Sequence, residues 1–208
     1  MPAVPAFIER PAGPVGPPLT NLMALAASQV TRDGEGRYRL GLVTLDARER
    51  TLSFPAEVNL REGQLEYAIV TRGGKLHESL LATDVRPLHV HLAALLLGLA
   101  PTNRAAPPLP LSIEVEWKGN GPPRRVPLES LVGLAGGDAR RAVVSPLSQR
   151  TWDYSGSGIL QGSLEADLEG SLVALISDPS ALARLPLPPG MVARRDQQFF
   201  VPQASRMP

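Results

Sequence analysis

The stretch that decides the fold is residues 65–100, LEYAIVTRGGKLHESLLATDVRPLHVHLAALLLGLA. It contains the three histidines of the chain, one of its two lysines, a Gly-Gly pair and the most apolar run in the sequence. Glycine adopts positive φ without steric cost, so Gly73-Gly74 predicts a tight hairpin turn. The outgoing strand is expected at 65–71 and the returning strand at 76–82. The same stretch is the best place in the chain for a site.

A helix is predicted after this hairpin. Pro87 suits the first turn of a helix, where its missing amide hydrogen costs nothing. The following run, 88–97, is apolar on nearly all sides, which is typical of a buried helix. Gly98 stands where helices commonly end. The pattern therefore predicts one buried helix at about 88–97.

Most of the remaining chain has the patterns of strands. The alternation of LSIEVEW at 111–117 predicts a half-buried strand, and the runs on either side of Glu169-Gly170 predict a hairpin. Short peripheral helices are expected at 19–30 and at 180–183, the second capped by Asp178. Two further runs, 38–45 and 51–60, suggest an antiparallel meander together with 65–71. The predicted fold class is α+β, a mostly antiparallel β-sheet with one buried helix.

The length of 208 residues suits one domain, predicted at 19–208. Residues 1–18 contain six prolines and are predicted to be an extended or disordered tail. The N-terminus lacks the basic start and unbroken apolar run of a signal peptide. The longest apolar run, 92–100, is far shorter than the roughly 20 residues of a transmembrane helix.

The composition excludes several classes of function. A net charge of +1 and an aromatic content of 4% do not favour nucleic-acid binding. The chain has no cysteine, which excludes disulfides, thiolate nucleophiles and iron–sulfur clusters. No cofactor-binding loop is present, because Gly74-Lys75 lacks the rest of a phosphate-loop motif. No cofactor is therefore predicted.

The candidate catalytic residues are His77, Glu78, Ser79 and Asp84. On a strand, His77 and Glu78 would point to opposite faces, so each would have to act alone. The alternative is that both belong to a hydrogen-bond network beside the Gly-Gly turn.

A metal site is left open, with His77, His89 and His91 as candidate ligands. His89 and His91 are separated by roughly 200° on a helix and would not share one metal there. One of them facing His77 would make a two-histidine site, assisted by Asp84 or Glu78. Structural roles for the histidines are the alternative.

Three residues are candidates for ligand binding. Lys75 beside the turn amides is suited to an anion, although a solvated hairpin tip is the simpler interpretation. Trp152 and Tyr154 lie two apart on a predicted strand and would stack a ligand such as a sugar if exposed. A place in the core is the alternative for both.

The motif GGKLHESLL at 73–81, followed by the leucine-rich run HLAALLLG, resembles the bacterial YdjY-domain family. Trp152, the segment DLEGSL at 167–172 and Asp178-Pro179 resemble its C-terminal half, and the likeness covers roughly 50–185. The resemblance implies an exported or envelope-associated protein and marks His77, Glu78 and Ser79 as the candidate site. The ferredoxin-like label of some members does not transfer, because no cysteine is present.

Three hypotheses of function follow. The first is a non-catalytic binding or accessory domain of the bacterial envelope. The second is a metal-dependent or acid–base enzyme centred on His77 and Glu78. The third is a structural subunit whose edge strand at 51–60 pairs with a protein partner or with a second copy of the chain.

Overall fold

The computed structural model describes residues 29–33, 37–99, 109–119, 121–136, 143–147, 151–186 and 198–208. The predicted tail at 1–18 and nearly all of the helix predicted at 19–30 lie outside the described residues. Within the described ranges, antiparallel sheets dominate and one long α-helix is buried. The predicted α+β class is confirmed.

The strands follow one another along the chain as short segments. They are β1 (Thr31–Arg32), β2 (Tyr38–Leu40), β3 (Val43–Asp46), β4 (Thr51–Ser53), β5 (Glu57–Val58), β6 (Tyr67–Thr71), β7 (Ser79–Thr83), β8 (Leu109–Leu111), β9 (Glu114–Trp117), β10 (Arg124–Pro127), β11 (Val132–Gly136), β12 (Val143–Pro146), β13 (Trp152–Tyr154), β14 (Ile159–Leu160), β15 (Ser163–Leu164), β16 (Ser171–Ala174), β17 (Ala183–Arg184) and β18 (Gln198–Pro202). The helices are α1 (Pro87–Leu96), α2 (Glu165–Glu169) and the 3₁₀ helices Leu76–Glu78, Leu128–Leu131 and Ala204–Arg206.

The largest sheet has the order β5-β7-β6-β16-β17-β13-β8. A four-stranded antiparallel sheet, β1-β2-β3-β4, lies against α1 through β3 and β4. Smaller sheets are β12-β11-β18, the hairpin β9-β10 and the hairpin β14-β15. The predicted meander is correct only in part. Residues 38–45 form the hairpin β2–β3 rather than one strand, and the run 51–60 divides between β4 and β5 in two different sheets. Residues 65–71 join the large sheet instead.

The helix α1 forms as the sequence predicts. Pro87 occupies the first turn, and the helix ends at Leu96. Gly98 has a φ of +83° and its amide donates to the carbonyl of Leu95, which closes the C-terminus. Seven of the ten helical residues are buried, so the helix belongs to the core.

The Gly73-Gly74 segment is not a hairpin turn, and this prediction is wrong. β6 and β7 are parallel, with Tyr67 paired to Ser79 and Thr71 paired to Thr83. Residues 72–78, called the crossing connection below, lead from the end of β6 back to the start of β7. They include the 3₁₀ helix Leu76–Glu78. The crossing connection is much shorter than the dozen or more residues that usually join parallel strands.

Of the two glycines, only Gly74 is needed for close approach, because a Cβ on Gly73 would lie at an ordinary contact distance of 3.9 Å from Oγ1 of Thr71. Neither is among the glycines with positive φ in the described chain. A Cβ on Gly74 would lie 3.0 Å from the carbonyl oxygen of Gly170, and a Cβ on Gly170 would lie 2.8 Å from Cα of Gly74. The crossing connection therefore packs backbone against backbone at the end of α2.

Three other local predictions are corrected by the structure. The alternation at 111–117 is present, but its residues divide between β8 and β9, which belong to different sheets. The hairpin predicted around Gly170 is replaced by α2, which Gly170 ends with a φ of +71°. The helix predicted at 180–183 is absent, and Asp178 instead closes a turn by accepting from the backbone amide of Ser180.

The central strands of the large sheet are buried on both faces. The main core includes Ile69 of β6, Leu81 of β7 and the buried face of α1. A smaller cluster comprises Tyr67, Val70, Ala174 and Ala181, with Leu76 of the crossing connection partly buried against it. Among the described residues, no helix is long and apolar enough to cross a membrane.

Candidate functional site

Within the described residues, a connected polar group joins the crossing connection to β6 and to Asp178. Lys75 Nζ donates to the hydroxyl oxygen of Tyr67 at 2.6 Å, and that hydroxyl donates to Oδ2 of Asp178 at 2.8 Å. Lys75 Nζ is also 3.7 Å from Asp178 Oδ2 and 4.6 Å from the centre of the Tyr67 ring. The three side chains thus form a short proton-donor chain that runs from a cation to an anion.

The electrostatics of this group favour two fixed charges. Burial raises the pKa of Tyr67 to about 12, so the phenol stays protonated. Burial alone would lower the pKa of Lys75, but the hydrogen bond to Tyr67 and the acidic neighbours Asp178 and Glu169 raise it. Burial opposes ionisation of Asp178, yet its bonds from Ser180 and Tyr67 bring its pKa below the ordinary value. No member is poised to exchange a proton near neutral pH.

The group continues into two further loops. Asp178 Oδ1 accepts from the backbone amide and the hydroxyl of Ser180 at 2.8 and 2.7 Å. The Ser157 hydroxyl donates to the Ser180 carbonyl at 2.6 Å and accepts from the amide of Ala166 at 3.0 Å. Ser157 has a positive φ of 66°, an uncommon backbone state for a residue with a side chain. The network therefore joins β6, the crossing connection, the 178–180 turn and the start of α2.

This environment argues against the predicted anion site at Lys75. Its ammonium group already donates to Tyr67, and two carboxylates lie within electrostatic reach. An incoming anion would meet that negative charge. Lys75 is a half-buried structural cation rather than the tip of a solvated hairpin.

His77 and Glu78 lie together on a 3₁₀ helix, not on a strand. The expectation that they point to opposite faces is therefore wrong, since Nε2 of His77 is 3.6 Å from Oε2 of Glu78. The side chain of His77 is 79% exposed and that of Glu78 is 22% exposed. The pair is a surface feature at the edge of the buried network.

Ser79 and Asp84 do not join this pair. Ser79 is fully buried, and its hydroxyl donates to the carbonyl of Lys75. Asp84 is exposed and bound to Arg72, whose guanidinium also reaches Glu57 at 2.6 Å. The four predicted catalytic residues thus divide into an exposed pair, a buried serine and a distinct surface ion pair.

The other two histidines diverge on α1. His91 is buried, and its Nδ1 is 2.7 Å from the hydroxyl of Tyr154. His89 is half-buried beside Gly41 on the turn between β2 and β3. Burial lowers the pKa of both imidazoles. Across the described residues, no cluster of three or more His, Asp or Glu side chains is placed to hold a metal ion.

Trp152 and Tyr154 do not present a stacking surface. They are 0% and 2% exposed, respectively. Trp152 Nε1 donates to Oε2 of the buried Glu129 at 3.2 Å, and Tyr154 bonds to His91. A ligand-binding role would need exposed rings, so the structure replaces that prediction with a place in the core.

Tyr67 and Asp178 are the residues that the sequence did not single out together. A tyrosine inside the apolar run LEYAIV is a signal, because a buried phenol generally needs a hydrogen-bond partner. That partner stands 111 residues further along the chain, beside a proline. Local patterns identify the need for a partner but not its position.

Comparisons of the chain with protein-family models, with curated proteins and with solved structures found no match.

Proposed function

We propose that this chain is a YdjY-like, non-catalytic binding or accessory domain of the bacterial envelope, with no resident metal or organic cofactor. The supporting observation is that the polar residues suited to chemistry bond within the fold. Lys75, Ser79, Asp84 and His91 each have partners on other segments. The GGKLHESLL resemblance supports the family and the envelope location.

The fixed protonation of the buried network adds to this proposal. General acid–base catalysis works best when the pKa of the catalytic group lies near the working pH. The pKa values of Lys75 and Tyr67 are raised, and that of Asp178 is lowered, so all three hold one state near neutrality. Such a group is better suited to stabilising the fold than to transferring protons.

Elemental analysis of the native protein, with His77→Ala beside it, tests the proposal. We expect no stoichiometric metal in either protein and the same thermal stability, because the His77 side chain is mostly exposed. Glu62→Gln, another exposed charged position, is the matched control. Stoichiometric metal in the native protein and Glu62→Gln, lost in His77→Ala, would refute a metal-free binding domain.

One observation favours a second candidate, a metal-dependent or acid–base enzyme. His77 is exposed and 3.6 Å from Glu78, which is a histidine–carboxylate pair open to solvent. Asp84, proposed as an assisting group, is instead engaged by Arg72. The metal analysis above separates the metal-dependent version of this candidate from the first.

The third candidate, a structural subunit, has its own support. Residues 51–60 supply β4 and β5, which are edge strands of two different sheets in the described chain. Both are very short, and Pro55 lies between them. Short strands and proline are features that limit edge pairing, so this candidate ranks below the binding domain. Size-exclusion chromatography with light scattering measures the mass of the protein in solution. A dimer would support pairing with a second copy of the chain, and a monomer would contradict it.

A further inference from the structure

We propose that His89 is an acid-sensitive contact that holds the four-stranded sheet β1-β2-β3-β4 on α1. The neutral imidazole packs beside the turn between β2 and β3. The protonated imidazole leaves that place for water and loosens the sheet. The inference goes beyond the proposed function, because it concerns how the fold responds to pH.

The imidazole of His89 lies directly against the backbone of the β2–β3 turn. A Cβ on Gly41 would lie 2.5 Å from Nδ1 and 2.8 Å from Cε1 of His89, so only a glycine leaves room for the ring. Gly41 has a φ of +58°, which glycine adopts without strain. The turn and this side chain are therefore fitted to each other.

The sheet is attached to α1 at both ends of the helix. His89 lies in the first turn of α1 and contacts Gly41. At the other end, the guanidinium of Arg50 donates to the carbonyl of Leu97. Between the two, β3 contributes buried side chains to the main core. Of the two end contacts, only the one at His89 involves a side chain type that normally changes charge between pH 5 and 8.

A proton on His89 has no good partner in the folded protein. Within the described residues its ring makes no hydrogen bond, and the turn covers one side of it. Burial lowers the pKa of His89 and the charge of Arg86 lowers it further, whereas Asp167 opposes them. The carboxylate of Asp167 is already bound by Arg86 and by the amide of Leu88. The positive end of the α1 dipole also disfavours another cation there.

The other elements that pack on α1 bring no further charge to this imidazole. β4 has no ionisable side chain, and Asp46 of β3 accepts from backbone amides of the turn that follows. On α1 itself, His91 faces the core. Of the three acidic residues of α2, only Asp167 acts on His89. Within the described chain, Arg86 and Asp167 are therefore the charges that matter.

The direction of the pH effect follows from these surroundings. With the contact open, His89 binds a proton at its ordinary pKa of 6.5, which lies above the pKa of the closed state. The closed contact therefore loses stability as the pH falls below that value. An unfavourable charge at a helix end changes an equilibrium by a factor of about two to five, and we expect opening of the sheet to increase by that factor.

Hydrogen–deuterium exchange of the full chain tests the proposal, with exchange measured at about pH 5 and about pH 7.5 and corrected for intrinsic rates. On acidification, the increase in opening of residues 38–53 should exceed that of residues 67–83 by about two- to fivefold. A loss of stability of the whole fold accelerates exchange in both regions and so cancels in this comparison.

His89→Gln removes the titrating group, keeps a polar side chain and should abolish the difference between the two regions. His77→Gln, at the mostly exposed histidine of the crossing connection, is the matched control and should keep it. An equal increase in both regions of the native protein, or a difference that survives in His89→Gln, would overturn the proposal. Nuclear magnetic resonance adds a test that needs no variant. The imidazole of His89 should titrate below the ordinary pKa of histidine, and titration at or above that value would contradict the contact.

Discussion

Tyr67→Phe removes one oxygen atom and leaves the packing of the ring in place. That oxygen accepts from Lys75 and donates to Asp178. A hydrogen bond to a charged group contributes about 1.5–3 kcal/mol, and a buried acceptor left short of donors adds to the loss. Asp178 keeps its two bonds from Ser180, which limits the effect. We expect a loss of about 2 kcal/mol in the free energy of unfolding.

The pH dependence of that loss follows from Asp178. Its pKa is lower in the folded protein than its value of about 3.9 in the unfolded chain. The ionised carboxylate therefore contributes stability above that unfolded value, and the contribution is lost as the pH falls through the folded pKa. The difference between native protein and Tyr67→Phe should be full at pH 7 and shrink below about pH 4.

Urea denaturation at pH 7 and at low pH measures both effects. A loss of about 2 kcal/mol also corresponds to a fall of about 4–8 °C in the melting temperature for a chain of this size. Tyr38→Phe is the matched control, because Tyr38 is half-buried and its hydroxyl makes no hydrogen bond within the described residues. If Tyr67→Phe were as stable as Tyr38→Phe, the network would not stabilise the crossing connection.

Two further changes test the same region and the histidine core. Gly170→Ala should lower the free energy of unfolding by about 3 kcal/mol, because residue 170 has a left-handed backbone and its new Cβ would lie 2.8 Å from Cα of Gly74. The control Glu169→Ala, one residue earlier, should lower it far less. Calorimetry of both variants measures this, and equal melting temperatures would contradict the close approach. His91 has a lowered pKa in the folded protein, so the unfolded chain binds a proton first, and stability should fall as the pH drops below about 6.5. Tyr154→Phe, which removes the partner of His91, should cost about 1–3 kcal/mol at pH 7, and an unchanged urea midpoint would argue against that bond.

The sequence was sufficient where structure is decided locally. The α1 helix has its start signal at Pro87, its stop signal at Gly98 and an apolar surface between them. Each of these acts within a few residues, so the pattern predicts the element and its limits.

The same reasoning failed at Gly73-Gly74. A Gly-Gly pair most often serves positive φ, and that reading predicted a hairpin. Here Gly74 allows contact with Gly170, nearly a hundred positions away in the sequence. The alternation at 111–117 likewise predicted burial correctly but held no information on which sheet each half would join.

The candidate site was predicted in part for the same reason. His77, Glu78 and Lys75 were singled out because unusual residue types gather in one stretch. Their surroundings depend on Asp178 and Glu169, which approach only when the sheet assembles. Charge neighbours from distant segments decide whether a lysine attracts an anion or stabilises a fold.

The central claim is that residues 65–83 form a parallel pair of strands closed by the Lys75 bridge, which makes their polar residues structural. Cross-strand nuclear Overhauser effects on labelled protein test it directly. The account predicts contacts whose residue numbers rise together, Tyr67 with Ser79 and Thr71 with Thr83. Contacts of a hairpin, with Ile69 beside Glu78 and Tyr67 beside Leu80, would contradict it.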